Sequence, residues 1–280
     1  MAALYVVATP IGNLGDVTRR AVEVLRQADV VLAEDTRRTG MLLKHLDVAT
    51  RLLSAHEHNE AARVATVLGL LREGKDVALV SDAGTPLLSD PGARIVREVV
   101  DAGFDVVPIP GASALLAALV ASGIEAETFT FLGFPPRKGP ERAELLDEIA
   151  ASPRASVLYE SPHRVGRLLR DLADAAGGAR RVAVARELTK LHEDFFRGTL
   201  AEAAERYEGA EVLGEIVVVV EGRRADAAAE EQVDELAAGA IARALLSQGQ
   251  APSAVARELR RRLGIARNEA YRIAQEAAEG

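Results

Sequence analysis

A polar segment rich in glycine and proline, Ser81 to Gly92, is the clearest candidate for ligand chemistry in this chain. It follows the apolar run Val77 to Val80, whose valines and short length indicate a buried strand. The segment cannot continue a regular structure, so it forms a loop at the carboxyl end of a strand, where open α/β sheets bind ligands. Asp82 can accept hydrogen bonds from a hydroxyl or an amine, and Gly84 lets the backbone approach a ligand closely.

A second interpretation gives this loop no ligand. In that case the loop only turns the chain from the strand into a helix that begins near Pro91, and Asp90 caps that helix. The other loops of the chain decide between the two interpretations.

Two further loops carry residues that could bind a cofactor. Pro10 and Gly12 follow an apolar strand over Ala3 to Thr9, and the pair Glu34 and Asp35 follows a second strand about 20 residues later. This arrangement resembles the dinucleotide-binding fingerprint, but no G-x-G-x-x-G occurs and a proline interrupts the loop. A nicotinamide or flavin cofactor is therefore disfavoured.

Metal and thiol chemistry have little support in the sequence. His56 and His58 could chelate a metal from a strand, but a metal site needs about three or four ligands and no third one is in view. A polar loop or a helix start is favoured there instead. The chain has no cysteine, which excludes disulfides, thiolate catalysis and cysteine-ligated zinc.

The composition fits a globular protein of the cytoplasm. With 280 residues, 49% of them hydrophobic, the chain can build one large domain or two ordinary ones. No apolar run reaches about 18 residues, so we expect no membrane span, and the N-terminus lacks the features of a signal peptide. The net charge of −8 argues mildly against a nucleic-acid partner.

Alternating strands and helices predict an α/β fold. We expect an N-terminal α/β domain over 1–124, a second one over 125–223 and a helical module over 233–280. In the first domain, Asp16 is the expected cap of a helix that ends near Gln27. The strands expected in the second domain are Thr128 to Phe134, Ala155 to Tyr159, Arg181 to Ala185 and Glu215 to Glu221. Two α/β halves in tandem imply a cleft between them, which is a preferred place for a ligand.

The loops, taken in order, resemble a known family. They are similar to the motifs of the ribosomal RNA small-subunit methyltransferase I family, in the tetrapyrrole methylase superfamily of S-adenosylmethionine (SAM) enzymes. The resemblance covers about 1–222, and the helical segment after 232 resembles the family's helix-turn-helix-like tail more weakly. The matching segments are Ala8 to Leu14, Glu34 to Arg37, Ser81 to Pro86, Pro110 to Ser113, Tyr159 to Arg164, Arg186 to Lys190 and Gly214 to Ile216.

This resemblance implies two tandem α/β domains of the tetrapyrrole methylase type, with SAM held folded in the cleft between them. The SAM-binding residues that it implies are Thr9, Pro10, Asp82, Ala83, Gly84, Thr85, Pro86, Gly111 and Ser113 in the first domain and Tyr159, Glu160, Glu187, Leu188, Gly214 and Glu215 in the second. Corrin and porphyrin methylases of the superfamily usually carry Gly-Asp-Pro where this chain has Ser81-Asp82-Ala83-Gly84. That departure points away from tetrapyrrole substrates.

The resemblance also implies the reaction, because the family methylates the ribose 2′-hydroxyl of a cytidine in 16S ribosomal RNA. Methyl transfer from a sulfonium is an in-line displacement that depends mainly on orientation, and a base helps because a ribose hydroxyl is a poor nucleophile. We favour Asp35 as this base, with Glu34 beside it, because Asp35 ends a strand next to Arg37 and Arg38. The same cluster can instead be a helix cap with a salt bridge. The other candidate bases are His56, Glu160 and Glu187, and the scheme requires no metal.

Basic residues are expected to contact the RNA. These are Arg37, Arg38, Arg137, Lys138, Arg257, Arg260 and Arg261. The tail over 240–275 carries seven arginines against two glutamates, which favours phosphate contacts. In the alternative interpretation the tail only packs on the second domain, with its arginines paired to acidic neighbours.

The family further implies a homodimer. Two other interpretations of the function stay open, namely a small-molecule methylase of the same superfamily and a non-catalytic, ribosome-associated nucleotide-binding protein.

Overall fold

The computed structural model describes residues 2–56, 59–223, 238–263 and 267–279. The chain divides into two compact units. The first comprises Met1–Ala117 with Leu188–Leu191, and the second comprises Ala118–Glu187 with His192–Gly280. Each unit combines a five-stranded sheet with helices, which confirms the predicted α/β fold class.

The first unit is built on a parallel sheet. Its elements are β1 (Ala3–Val7), α1 (Arg19–Gln27), β2 (Val30–Ala33), α2 (Thr36–His45), β3 (Arg51–Ser54), α3 (Glu60–Arg72), β4 (Val77–Val80), α4 (Ala93–Asp101), β5 (Asp105–Ile109) and α5 (Ala114–Ala121), which runs past the unit's last residue. The strand order is β3-β2-β4-β1-β5, and every pair is parallel. All five strands therefore end at the same edge of the sheet, and so do the loops that follow them.

Alternate strand residues of this sheet face two different apolar clusters. Leu32 and Leu79 pack with α3 and α4, whereas Val31 and Val80 pack with α1 and α2. β2 and β4 are buried along their whole length, as is typical of parallel strands covered on both faces. The helices on both faces fix the strands, and the strands fix the start of each loop at the carboxyl edge.

The prediction that Asp16 caps α1 is wrong. Asp16 ends a short 3-10 helix, Leu14–Asp16, whose cap is Asn13. Thr18 caps α1 instead, because its side chain accepts a hydrogen bond from the Ala21 amide at 3.1 Å. Both residue types are good caps, and the intervening 3-10 helix decides which one is used.

The second unit has a mixed sheet. Its elements are β6 (Phe129–Phe131), α6 (Pro140–Ala151), β7 (Ala155–Glu160), α7 (Val165–Ala176), β8 (Arg181–Arg186), β9 (Asp194–Thr199), α8 (Leu200–Tyr207) and β10 (Ile216–Val220). The order is β6-β7-β10-β8-β9, in which β6 and β7 are parallel and the other neighbours are antiparallel. Leu158, Val184 and Val218 pack against α7, and they centre the core of this sheet.

The second unit also contains helices near the C-terminus. Residues 238–247 form α9, followed by α10 (Pro252–Leu263) and α11 (Arg267–Glu279). These helices pack on one another through Leu245, Val255, Leu259 and Ile273, which form an apolar cluster of their own. Among the described residues, no helix combines the length and hydropathy that crossing a membrane requires.

Candidate active site

The carboxyl edge of the parallel sheet brings together loops that lie far apart in the sequence. Thr9, after β1, and Gly84, after β4, exchange two backbone hydrogen bonds of 2.9 and 3.1 Å. The Thr9 hydroxyl donates to the Ser81 carbonyl at 3.1 Å, and the Ser81 hydroxyl donates to the Gly84 carbonyl at 3.0 Å. Thr9 and Ser81 are both buried, so these bonds fix the two loops against each other.

Two predicted site glycines allow these loops to approach closely. Gly84 has a φ of +89°, and a Cβ there would lie 3.0 Å from Cγ2 of Ile11. A Cβ on Gly111, after β5, would lie 3.0 Å from the Ala8 Cβ. The Thr85 hydroxyl bridges to the same loop by donating to the Ala112 carbonyl at 3.2 Å. The sequence predicted that these glycines allow a close approach of the backbone. In the structure, they allow the loops to approach one another.

Other predicted residues of these loops differ in exposure. Ala83 is exposed, Pro86 is buried and Pro10 is half-buried. Ser113 lies just before α5, and its hydroxyl is 3.5 Å from the Leu116 amide. Pro10, Ala83 and Pro86 belong to the two loops that the bonds of Thr9 and Ser81 hold together, and Ser113 belongs to the loop that Thr85 contacts.

Asp82 joins the loops after β2 and β4. One of its carboxylate oxygens accepts a hydrogen bond from the Asp35 amide at 3.0 Å. Its other oxygen lies 3.7 Å from a guanidinium nitrogen of Arg38. Because β2 and β4 are neighbours in the sheet, Asp82 and the predicted catalytic pair Glu34 and Asp35 lie in one cluster.

Asp35 makes the contacts of a helix cap. It is the N-cap of α2 and accepts a hydrogen bond from the Arg37 amide at 2.9 Å. The Arg37 guanidinium also donates to both of its carboxylate oxygens, at 3.1 and 2.8 Å. These hydrogen bonds lower the pKa of Asp35 to about 2. Of the two interpretations of this cluster, the cap with a salt bridge matches these contacts, and a role as base stays a prediction.

The pKa values of two neighbouring carboxylic acids, Asp90 and Glu34, are raised instead of lowered. Burial, together with the negative charge of Glu34, raises the pKa of Asp90 to about 6. Burial and the nearby Asp82 also raise the pKa of Glu34. The edge of the sheet therefore holds acidic groups of very different base strength.

Asp90 does not cap α4, which corrects the second interpretation of this loop. The N-cap of α4 is Gly92, which has no side chain to serve as a cap. The carboxylate of Glu60, at the start of α3, accepts instead from the amides of Gly92 at 3.1 Å, Arg94 at 2.9 Å and Ile95 at 3.3 Å. Sequence reasoning missed Glu60, because a cap supplied from 32 residues away leaves no local signal.

In the second unit, the predicted residues at the end of β7 are tightly packed. The Tyr159 ring lies between Phe131 and Phe134, with centroid distances of 4.9 and 5.5 Å. The Glu160 side chain is fully buried, and it accepts hydrogen bonds from the Ser161 amide at 2.8 Å and from Arg164 at 2.8 Å. This carboxylate already has two partners within the unit.

The ends of β8 and β10 carry the other predicted residues of the second unit. Glu187 has a φ of +52°, and its amide donates to the Glu215 carbonyl at 3.0 Å. Its carboxylate accepts from the Glu215 amide at 3.0 Å, and its side chain lies against Gly214, where a Cβ would collide with it. Leu188, which is buried, belongs to the first unit. Thr189 follows it with a φ of +65°, which is rare for a β-branched residue.

The predicted RNA-binding residues are described in part. Arg37, Arg38, Arg137, Lys138 and Arg257 are exposed. The side chains of Arg260 and Arg261 lie outside the described residues. Another arginine of the tail, Arg272, forms ion pairs with Glu269 and Glu276, as the alternative interpretation of the tail expected. Among the described residues, no group of three or more acidic or histidine side chains could hold a metal ion.

The fold and these loops are those of a methylase of the tetrapyrrole type. Residues 3–204 match the family model described as Tetrapyrrole (Corrin/Porphyrin) Methylases. The methyltransferase CobJ has a similar fold, with a TM-score of 0.60, 20% identity, and coverage of 80% of this chain and 97% of that chain. Uroporphyrin-III C-methyltransferase from Thermus thermophilus, complexed with S-adenyl homocysteine, has a TM-score of 0.57 at 19% identity, over 79% of this chain and 97% of its own.

Relatives with higher sequence identity indicate the group within this family to which the chain belongs. Ribosomal RNA small subunit methyltransferase I of Synechocystis sp. is 43% identical over 99% of this chain and 98% of its own length. The protein of the same name from Escherichia coli O157:H7 is 42% identical over 98% of this chain and 94% of its own length. The chain therefore belongs to the tetrapyrrole methylase family, in the group named ribosomal RNA small subunit methyltransferase I.

Proposed function

We propose that this protein is a SAM-dependent methyltransferase that methylates the ribose 2′-hydroxyl of a cytidine in 16S ribosomal RNA. The observation that carries the proposal is the 43% identity, over 99% of the chain, to a relative named for ribosomal RNA methylation. The finer statement, a 2′-hydroxyl of a cytidine, rests on the resemblance of the loop motifs. The loop Ser81-Asp82-Ala83-Gly84, which departs from Gly-Asp-Pro, favours RNA over a tetrapyrrole.

SAM is the cofactor, and when bound it supplies an electrophilic methyl group on a sulfonium. In the first unit we propose that the loops after β1, β4 and β5 contact it, because the backbone bonds of Thr9 with Gly84 and the bond from the Thr85 hydroxyl to Ala112 hold them in one place. Thr9, Gly84 and Gly111 fix that geometry. In the second unit we propose contacts from Tyr159 and from the loops that carry Glu187 and Gly214. This arrangement suits a reaction in which orientation supplies most of the acceleration.

We propose different parts for the two acidic residues after β2. Arg37 holds the pKa of Asp35 at about 2, so Asp35 is a weak base and serves chiefly to orient Arg37. Glu34 is exposed, and burial of part of its carboxylate together with Asp82 raises its pKa. A base works best when its pKa lies near the working pH, so Glu34 is the better acceptor of the ribose proton. Arg37 and Arg38, both exposed, then bind the flanking phosphates.

We also propose a homodimer formed through α5. This helix is wholly apolar, and its residues Leu116 and Val120 are 50% and 83% exposed on one helical face. A second copy of the chain would bury that face. Light scattering should then give twice the chain mass of 29.7 kDa, and a monomer at micromolar concentration would refute the dimer.

The decisive experiment follows labelled methyl groups from SAM. Purified protein is mixed with small ribosomal subunits, with free 16S RNA or with a uroporphyrinogen. We expect label in the RNA, at a ribose that then resists alkaline hydrolysis. Label in the porphyrinogen, or no transfer at all, would support one of the two alternative functions.

The SAM site is tested separately by calorimetry. Asp82→Ala should weaken SAM binding by removing the hydrogen bond that joins the loops after β2 and β4. Gly84→Ala should also weaken it, because the added Cβ meets Ile11 at 3.0 Å. Gly103→Ala is the matched control, since Gly103 also has a positive φ, of +79°, but nothing lies within 4 Å of an added Cβ. Equal SAM affinity in all three variants would refute the site.

A further inference from the structure

An exposed aromatic ring stands out in the loop between β6 and α6. Phe134 is 58% exposed, more than any other aromatic residue that the structure describes. One side of its ring packs on Tyr159, with centroids 5.5 Å apart and planes 58° apart, and Tyr159 in turn packs on Phe131. The rest of the Phe134 ring faces solvent, which costs free energy unless a partner covers it.

The backbone of this loop is held firmly. The Pro135 carbonyl accepts a hydrogen bond from Arg164 at 2.9 Å, and the Pro136 carbonyl accepts one from Arg142 at 2.9 Å. Both guanidinium groups are positioned by carboxylates, the fully buried Glu160 for Arg164 and Asp171 for Arg142. Two charge-assisted bonds to successive carbonyls therefore fix the loop before any partner arrives.

Positive charge follows directly after the ring. Arg137 and Lys138 are both exposed, and Glu141, in the first turn of α6, is the acidic residue of the neighbouring turn. A fixed aromatic ring beside exposed cations is the combination that binds unpaired nucleotides, with the base stacked on the ring and the phosphates near the cations. An apolar protein partner would instead have to desolvate both cations.

We propose that Phe134 is a stacking platform for an unpaired base of the RNA substrate, with Arg137 and Lys138 on the adjoining phosphates. The inference rests on the proposed function, since it takes ribosomal RNA as the substrate. Glu160, Arg164, Arg142 and Asp171 are positioning residues in this scheme, because they hold the loop and do not touch the RNA.

The test uses the full chain and a single-stranded oligoribonucleotide that carries 2-aminopurine. Because the protein has no tryptophan, Phe134→Trp also creates a single fluorescent reporter at the site. We expect wild-type protein to quench the aminopurine and RNA to quench the introduced indole. Phe134→Ala should lose about 5- to 150-fold in RNA affinity, which is the range for removing one base–aromatic stack. SAM affinity should stay unchanged in Phe134→Leu, which keeps an apolar side chain against Tyr159.

Three controls separate stacking from other roles. Phe134→Leu keeps an apolar side chain but has no ring, so it should behave like Phe134→Ala, and wild-type affinity in this variant would overturn the proposal. Arg137→Ala combined with Lys138→Ala should reduce the slope of log K against log salt by about 1.4, or 0.7 for each phosphate contact. Loss of SAM binding in Phe134→Leu, which keeps an apolar side chain against Tyr159, would also overturn the proposal, because it would place the ring in the cofactor site.

Failure of the proposed function would give a different result from failure of the stacking proposal. If wild-type protein transfers no methyl group to small ribosomal subunits but its aminopurine quenching depends on Phe134, the platform stands and the reaction is wrong. If it methylates the subunits with a KM that Phe134→Ala leaves unchanged, the reaction stands and the platform is wrong.

Discussion

The cap that Glu60 supplies to α4 should stabilise the loop that begins at Ser81. Its carboxylate accepts from the amides of Gly92, Arg94 and Ile95 at 2.9 to 3.3 Å, and all three would otherwise lack a partner in the helix. Loss of an N-cap costs about 1 kcal/mol, and loss of a negative charge at a helix N-terminus costs about 0.5–1 kcal/mol. Glu60→Ala should therefore cost about 1.5–2 kcal/mol. Glu60→Gln keeps an acceptor, so it should cost only the charge contribution.

Hydrogen exchange at these amides is the appropriate assay, because a chain of two units need not unfold in one step. We expect protection of the first turn of α4 to fall about 10- to 30-fold in Glu60→Ala and about 2- to 5-fold in Glu60→Gln, since 1.4 kcal/mol is a factor of ten. Glu23→Ala, at an exposed position of α1, is the matched control and should change nothing in α4. Protection in Glu60→Ala equal to that of the wild type would refute the cap.

Three more predictions follow from buried or charged groups. The pKa of Asp90 is about 6 in the folded protein and 3.8 in the unfolded chain, so the folded state binds the proton more tightly. The stability that this proton contributes is fully present below pH 3.8 and is lost as the pH rises through 6. Asp90→Asn should therefore raise the urea midpoint at pH 8, by an amount worth about 1–2 kcal/mol after allowance for its partial exposure, and leave it unchanged near pH 4. Arg142→Met should cost about 2 kcal/mol in thermal or urea unfolding, because it removes charge-assisted hydrogen bonds to Asp171 while Arg167 stays 3.8 Å from that carboxylate. A cost near zero would contradict that. Deleting 233–280 should leave SAM affinity unchanged but weaken methylation of ribosomal particles, and equal rates across a salt titration would show that the tail does not dock RNA.

The parallel sheet could be predicted from the sequence because its pattern is local. Val30 to Ala33 and Val77 to Val80 are short apolar runs, each followed by polar loop residues, and the intervening helices are long enough for parallel crossovers. β9 was not predicted. Its sequence, Asp-Phe-Phe-Arg-Gly-Thr, does not alternate cleanly and contains Gly198, so its strand conformation depends on pairing with β8.

The contacts of the site were less predictable than its loops. Motif resemblance indicated Asp82, Gly84 and Gly111, but it could not say that Asp82 accepts from the Asp35 amide or that each glycine lies against a side chain of another loop. Asp82 and Asp35 are 47 positions apart in the sequence, and only the strand order brings them together. The contact of Phe134 with Tyr159 could not be predicted for the same reason, because the pairing of β6 with β7 brings the two residues together.

At the carboxyl edge of the parallel sheet, Arg37 lowers the base strength of Asp35, whereas burial raises that of Glu34. Glu34 and Asp35 are adjacent in sequence, yet their pKa values move in opposite directions. Asp35 accepts two hydrogen bonds from the Arg37 guanidinium and stays ionised, whereas burial and the nearby Asp82 raise the pKa of Glu34. Of these two residues, Asp35 is therefore the weaker base. The position at a strand end alone favours Asp35 as the proton acceptor. The hydrogen bonds of its carboxylate to Arg37 are the reason for which we propose Glu34 instead.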